Sequence, residues 1–192
     1  MESLLVSTGV VALAEIGDKT QLLAFILAAR FKRPWPIILG ILLATLVNHA
    51  LAGALGAWIM ATVSPGWLRW ILGLSFLAMA VWTLIPDKIE EEETQIARRF
   101  GVFGATLITF FLAEMGDKTQ IATIAMAARY SDAVLVVIGT TLGMMLANVP
   151  AVLIGDRLAG RLPIRLVHAV AALIFAALGV ATLLGAGARY GL

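Results

Sequence analysis

The chain contains no cysteine. That excludes disulfides, thiolate-bound metals and cysteine nucleophiles. Charge is scarce as well: 14% of residues are Asp, Glu, Lys or Arg, against about 25% in an ordinary soluble domain. With 61% hydrophobic residues and a mean hydropathy of +0.97, the sequence reads as an integral membrane protein. No stripe of Lys and Arg with interleaved aromatics points to nucleic acid. The net charge of +2 on 192 residues identifies no partner. A basic leader is missing too: Met1-Glu2-Ser3 precedes the first apolar run. Ala12-Leu13-Ala14 has the small-x-small form of a cleavage site, yet that run is expected to stay as a helix.

A spanning helix needs roughly 20 mostly apolar residues. Six segments meet that length: about 4–29, 34–62, 67–85, 101–129, 133–154 and 163–185. The expected fold is all-α, a polytopic membrane protein of six transmembrane helices. Pro34-Trp35-Pro36 suits a helix start, Ser64-Pro65-Gly66 a turn, and Ser131-Asp132 an N-cap. Pro150 predicts a kink in the fifth helix, and Pro163 is expected to open the sixth. Trp35, Trp67 and Trp70 fit the membrane interface.

Inside the first and fourth segments lies one heptapeptide, written twice. Glu15-Ile16-Gly17-Asp18-Lys19-Thr20-Gln21 returns 99 residues later as Glu114-Met115-Gly116-Asp117-Lys118-Thr119-Gln120. Each ionised side chain at the bilayer centre costs about 2.5–3.5 kcal/mol on insertion scales, so a matched pair of such clusters calls for a function. The repeat extends further. Residues 28–31 match 127–130, Gly40 matches Gly139, and Phe76 and Thr83 match Phe175 and Thr182; Leu46 and Asn48 match Leu146 and Asn148 after a one-residue slip. The chain therefore divides into a first three-helix repeat (1–86), an acidic linker (87–100) and a second three-helix repeat (101–192). An odd number of spans per repeat inverts one copy relative to the other, a recurrent transporter plan with its site at the repeat interface near mid-membrane.

Lys and Arg near the helix ends set the expected orientation. The side holding connections 1–2, 3–4 and 5–6 carries Arg30, Lys32, Arg33, Lys88, Arg98, Arg99, Arg157, Arg161 and Arg165; the other carries Arg69, Arg129 and Arg189. The first side is assigned to the cytoplasm, with both termini outside. The acidic run Glu90 to Glu93 then lies in a cytoplasmic linker and reads as solvated. The expected localisation is the cell's inner (plasma) membrane, with the lipid bilayer as partner and an oligomer left open.

On a continuous helix Glu15, Asp18 and Lys19 would share one face, with Gln21 beside Asp18 and Gly17 leaving room for a neighbour or a loosened backbone. If the motifs meet, Glu15, Asp18, Glu114 and Asp117 converge, and four carboxylates out of water cannot all stay ionised uncompensated. Lys19 and Lys118 would supply two positive charges, leaving −2 for a divalent cation. Asn48, Asn148, Gln21, Gln120, Thr20 and Thr119 add oxygen donors, while Gly17 and Gly116 are structural. This all-oxygen set suits Mg²⁺, Ca²⁺ or Mn²⁺. With the metal gone, the same carboxylates would take up protons, the minimum machinery of cation/proton antiport.

Two Glu-x-Gly-Asp-Lys-Thr motifs, one per three-helix half with an acidic linker between, strongly resemble the manganese exporter family. That family includes the Golgi and chloroplast manganese/calcium transporters of eukaryotes and is related to the lysine exporter superfamily. The resemblance covers about Leu4 to Leu184. It implies Mn²⁺ export, Ca²⁺ as second substrate, H⁺ as counter-ion, and no prosthetic group. It carries site roles onto Glu15, Gly17, Asp18, Lys19, Thr20, Glu114, Gly116, Asp117, Lys118 and Thr119.

Three rival functions fit the sequence less well. An exporter of amino acids or other organic cations on the same fold would need a roomier site, and no aromatic cage is present. An intramembrane aspartyl protease needs only two aspartates, not a duplicated cluster with lysines; no catalytic residues are assigned and an enzyme is not expected. A channel needs weaker binding than dense carboxylates supply. His49 has no partner in the repeat, where Val149 stands, and reads as packed or pore-adjacent.

Overall fold

A computed structural model describes residues 1–85, 100–154 and 164–185. These form eight helices: α1 (Glu2–Glu15), α2 (Lys19–Phe31), α3 (Pro34–Thr62), α4 (Pro65–Thr83), α5 (Gly101–Glu114), α6 (Lys118–Arg129), α7 (Ala133–Ile154) and α8 (Ile164–Leu183). The linker's Glu90 to Glu93, Lys88, Arg98 and Arg99, the connection bearing Arg157 and Arg161, and Pro163 lie outside the described residues, as does Arg189.

The expected first and fourth helices are each two helices. The break falls at the third residue of each motif, where Gly17 has φ +84 and Gly116 φ +73. That left-handed backbone is open to glycine and costs other residues about 1–2 kcal/mol. Ile16 and Met115 beside them are extended. The expectation that Glu15, Asp18 and Lys19 share one unbroken helical face is therefore corrected: Glu15 ends one helix, and Asp18 stands at the N-cap of the next. Elsewhere the boundaries agree closely. Pro34 opens α3, Asp132 Oδ1 accepts the Leu135 N–H at 3.0 Å at the start of α7, and α7 continues past Pro150 to Ile154.

Three helices, α3, α4 and α7, are long and apolar enough by themselves to cross a membrane; α5 is a shorter apolar helix. The breaks explain the difference. Fourteen residues of helix rise only about 21 Å, short of the ~30 Å hydrocarbon core.

The surface is built for lipid. On α3, Leu39, Leu43, Leu46, Val47, Leu51, Leu55 and Trp58 are exposed, while Gly40, Thr45, Asn48, His49, Gly53 and Gly56 face inward. Small and polar residues inside, with large apolar ones outside, are the pattern of helices packed within a bilayer. Trp35 and Trp67 are also exposed.

Packing crosses between the repeats. α3 lies along α5 and then α6, and α7 lies along α1 and then α2. Gly40 meets Phe103 and Thr106 near the start of α5, and Gly56 meets Ile124 and Ala127 on α6. Gly139 meets Leu4 and Ser7 near the start of α1; Gly143 meets Thr8 and Ala12 further along. α3 also packs on α7, while α4 and α8 form a separate pair, with Phe76 and Phe175 stacked at 6.5 Å between ring centres.

A methyl group at Gly143 would lie 2.6 Å from the Thr8 carbonyl oxygen and 2.9 Å from the Ala12 nitrogen, both backbone. Gly143→Ala should therefore force α7 off α1 and destabilise the protein by about 1–3 kcal/mol. Thermal unfolding in detergent checks this: an unchanged midpoint would contradict the close approach.

Candidate functional site

The broken helices bury the carboxylates at their ends, Glu15, Asp18, Glu114 and Asp117, while Met115 and Gly116 at the second break are exposed. At each break the glutamine of the motif closes the loop. The Gly17 N–H donates to Gln21 Oε1 and the Gly116 N–H to Gln120 Oε1, both at 2.8 Å. The aspartate N–H folds back to the glutamate carbonyl, Asp18 to Glu15 and Asp117 to Glu114, at 3.1 Å each. Gln21 also reaches across, donating from Nε2 to the Ala147 carbonyl of α7 at 3.0 Å. Gln21 and Gln120 thus shape the turn, which a single sequence could not reveal.

The charged groups pair reciprocally between motifs. Lys118 Nζ donates to Asp18 Oδ1 at 3.0 Å, and both side chains are almost fully buried. Lys19 Nζ stands 3.7 Å from Asp117 Oδ1 and is 24% exposed. Each lysine therefore sits against the aspartate of the other motif, not against the glutamate four residues before it. Breaking one partner of such a buried pair is costly, because it strands a charge away from water.

Carboxylate oxygens of Glu15, Asp18 and Asp117 lie within 4.8 Å of one another. Two oxygens on opposite sides of an ion bound at 2.3–2.6 Å stand roughly 4.6–5.2 Å apart, so one cation can bridge this group. Glu15 accepts from the Thr20 hydroxyl through Oε2, and its buried Oε1 has no hydrogen-bond partner among the described residues. Glu114, the fourth expected carboxylate, stands outside this three-carboxylate group. Its Oε1 accepts from Thr45 at 2.7 Å and its Oε2 lies 3.5 Å from Asn48 Nδ2.

This asymmetry has a chemical cause. Thr45 supplies a hydroxyl that draws Glu114 toward α3, whereas the repeat places Met144 or Met145 at the matching position, and neither can donate. Glu15 turns instead to Thr20 of its own motif. Thr119, the counterpart of Thr20, is buried with its hydroxyl unpartnered among the described residues. The asparagines diverge in the same way. Asn48 joins Glu114 and donates to the Phe111 carbonyl at 3.0 Å, while Asn148 Nδ2 turns to Met144, 3.1 Å from its carbonyl and 2.9 Å from its sulfur. The equivalence expected for Asn48 and Asn148 does not extend to their contacts.

Sequence reasoning missed two participants. Thr45 precedes Asn48 by three residues, one turn along the same helical face, and that spacing was a usable signal. His168 of α8 stands 2.8 Å through Nε2 from the Ile16 carbonyl, which the break frees from helical bonding. Its repeat counterpart is Arg69, so nothing in the pattern pointed to it. His49 is fully buried with neither ring nitrogen hydrogen-bonded among the described residues.

A lipid-faced helical bundle that buries acidic and basic side chains at two matched helix breaks defines a membrane transporter for small ions. Residues 3–91 and 102–189 match the family described as "Divalent cation/proton antiporter GDT1", and the chain belongs to that family, one of transporters and not of enzymes. A Vibrio cholerae protein named "Putative manganese exporter" is 54% identical over 183 residues, covering 95% of this chain and 90% of its own. A GDT1-like protein of Synechocystis is 32% identical, with 86% and 88% covered. "GDT1-like protein 3" of Arabidopsis thaliana is 30% identical, with 94% and 70% covered. No solved structure matches the chain.

Lys118→Met should leave Asp18 buried without its ammonium and cost about 3–5 kcal/mol of stability. The double variant Asp18→Asn/Lys118→Met should recover much of that loss. Thermal midpoints of the two purified variants test the pairing, and equal midpoints would dismiss it.

Proposed function

We propose that the protein exports Mn²⁺ from the cytoplasm in exchange for H⁺, with Ca²⁺ as a second substrate. The observation that carries this reading is the trio of buried carboxylates, Glu15, Asp18 and Asp117, with oxygens close enough to share one ion and one glutamate oxygen left without a hydrogen bond. The trio draws on both motifs, so neither motif supplies it alone. Glu114 stands one step away, with Asn48 and Thr45, as the residue that receives or passes on the ion or its protons. Hard oxygen donors favour Mn²⁺ and Ca²⁺ over softer metals, and the relative named as a manganese exporter supports Mn²⁺ first.

The antiport step needs one set of groups to hold cation or protons alternately. Lys118 on Asp18 and Lys19 on Asp117 are tethered positive charges that offset the carboxylates while no ion is bound. A divalent ion entering between Glu15, Asp18 and Asp117 displaces a proton from Glu15 and draws the two aspartates off their lysines; a proton returning to Glu15 weakens its hold on the ion, and as the ion leaves the Asp–Lys pairs re-form. We read α1–α2 and α5–α6 as single broken spans, which with α3, α4, α7 and α8 gives six, arranged as two inverted three-helix repeats (1–86 and 101–192) about the linker 87–100. Broken helices at mid-membrane are the usual setting of ion sites in such proteins. The charge asymmetry of the connections supports a plasma-membrane protein with the linker in the cytoplasm and both termini outside.

Reconstituted protein should move Mn²⁺ against an imposed pH gradient with counter-movement of H⁺, Ca²⁺ less readily and Mg²⁺ least. Flux without proton movement would overturn antiport. Glu15→Gln and Asp117→Asn should each abolish flux while the variants remain monodisperse. Normal transport by both would displace the site from these residues.

A further inference from the structure

The two repeats match in sequence but not in how the α4–α8 pair sits on them. α4 packs on α6 and α8 on α1; neither has comparable packing with α2 or α5 among the described residues. α1 and α6 are the halves of the broken helices that converge on one end of the bundle. Among the described residues the pair thus packs mainly on one half of each broken helix, α1 and α6.

Matched residues record the difference. Arg129 Nη1, at the end of α6, donates to Thr182 Oγ1 on α8 and lies 3.5 Å from the Leu178 carbonyl. Ala128 and Tyr130 beside it are buried. Their counterparts at the end of α2 are less covered: Ala29 is exposed and Phe31 half-buried, and Arg30, the counterpart of half-buried Arg129, is exposed. The local chemistry is nevertheless the same at both places. Arg129 stands over the Tyr130 ring at 5.8 Å and Arg30 over the Phe31 ring at 5.7 Å. Thr182 donates to Leu178 O at 2.7 Å, and its counterpart Thr83 on α4 donates to Met79 O at 2.8 Å. The breaks differ likewise: the Ile16 carbonyl is met by His168, while Met115 is 56% exposed.

We propose that Arg129 and Arg30 are matched positioning residues for transport, each holding the α4–α8 pair in one of two seats. Arg129 on Thr182 holds the observed seat, over α1 and α6. Exchanging the roles of the repeats generates the other, with α8 on α2, α4 on α5, and Arg30 on Thr83. Moving between seats covers the break at Gly116 and uncovers the break at Gly17, which turns the carboxylate trio from one side of the membrane to the other. The two seats bury the same kinds of side chain, so a few contacts can decide the balance between them. The proposal rests on the antiport reading only in requiring a protein that cycles.

The absence of cysteine permits a direct test by thiol labelling in proteoliposomes, with Met115→Cys and Ile16→Cys as single reporters and a small methanethiosulfonate reagent as probe. Arg129→Gln should slow labelling at 115 and speed it at 16, each on the order of fivefold. Arg30→Gln should do the reverse, and Arg129→Lys should keep the parent rates. Arg30 is exposed, so its variant tests the proposal even where Arg129→Gln folds poorly. Rates that move together at both reporters, or that do not differ among variants, overturn it. Labelling needs no ion flux, so reciprocal rates without Mn²⁺ transport would leave the seats standing and remove the substrate assignment instead.

Discussion

Everything in the interior follows from burying two Asp–Lys pairs that cross between the repeats. Lys118 on Asp18 is closed off from solvent, at 3.0 Å; Lys19 on Asp117 is longer, at 3.7 Å, and partly open. A buried ion pair is seldom a gain over apolar packing. Its retention makes sense where the charges must part and re-form during work. Because each pair joins the first motif to the second, both must be in place for either aspartate to be neutralised. The helix breaks serve that requirement. An unbroken helix would set Glu15, Asp18 and Lys19 on one face and favour local pairing. The left-handed glycine turns the aspartate to an N-cap and sends the lysine toward the other motif.

Much of this was legible beforehand. The repeated heptapeptide, its spacing and the apolar runs around it were enough to locate the charged centre, and Pro34 and Asp132 mark helix starts where the structure has them. Position was readable because each feature is local: a proline's fixed φ, a carboxylate near a free N–H, twenty apolar residues in a row. The break was less readable. Gly17 and Gly116 fit both a close helix contact and a positive φ, and only the tertiary pull on Asp18 and Asp117 decides between them. The glutamines read as further oxygen donors; in the structure each amide oxygen also accepts from the glycine N–H of its own motif.

Asymmetry was the part least open to sequence reasoning, although its seeds are in the letters. A repeat argument treats Asn48 and Asn148 as equals. They part because Thr45 has a methionine for a counterpart, so only one glutamate finds a hydroxyl on the neighbouring long helix. Glu114 is consequently tied to α3 by two side chains, and Glu15 keeps one oxygen unbonded. Two motifs with nearly the same spelling thereby differ in their contacts: one has a glutamate oxygen without a hydrogen bond among the described residues, the other a glutamate held by two side chains.

That division also bears on why the duplication is incomplete. A perfectly symmetric site would present the same face to both sides of the membrane and bind the ion equally in either state, and equal binding shifts no equilibrium. Directional exchange driven by protons needs only the gradient, but efficient release needs a state in which the trio is loosened. Glu114, fixed by Thr45 and Asn48, cannot follow the trio if the Gly17 break moves. Glu15, bonded only through Thr20 of its own motif, can. Under the antiport proposed above, the ion is held where Glu15 completes the trio and released where it does not, and the methionine that stands where the other repeat has Thr45 contributes to that difference.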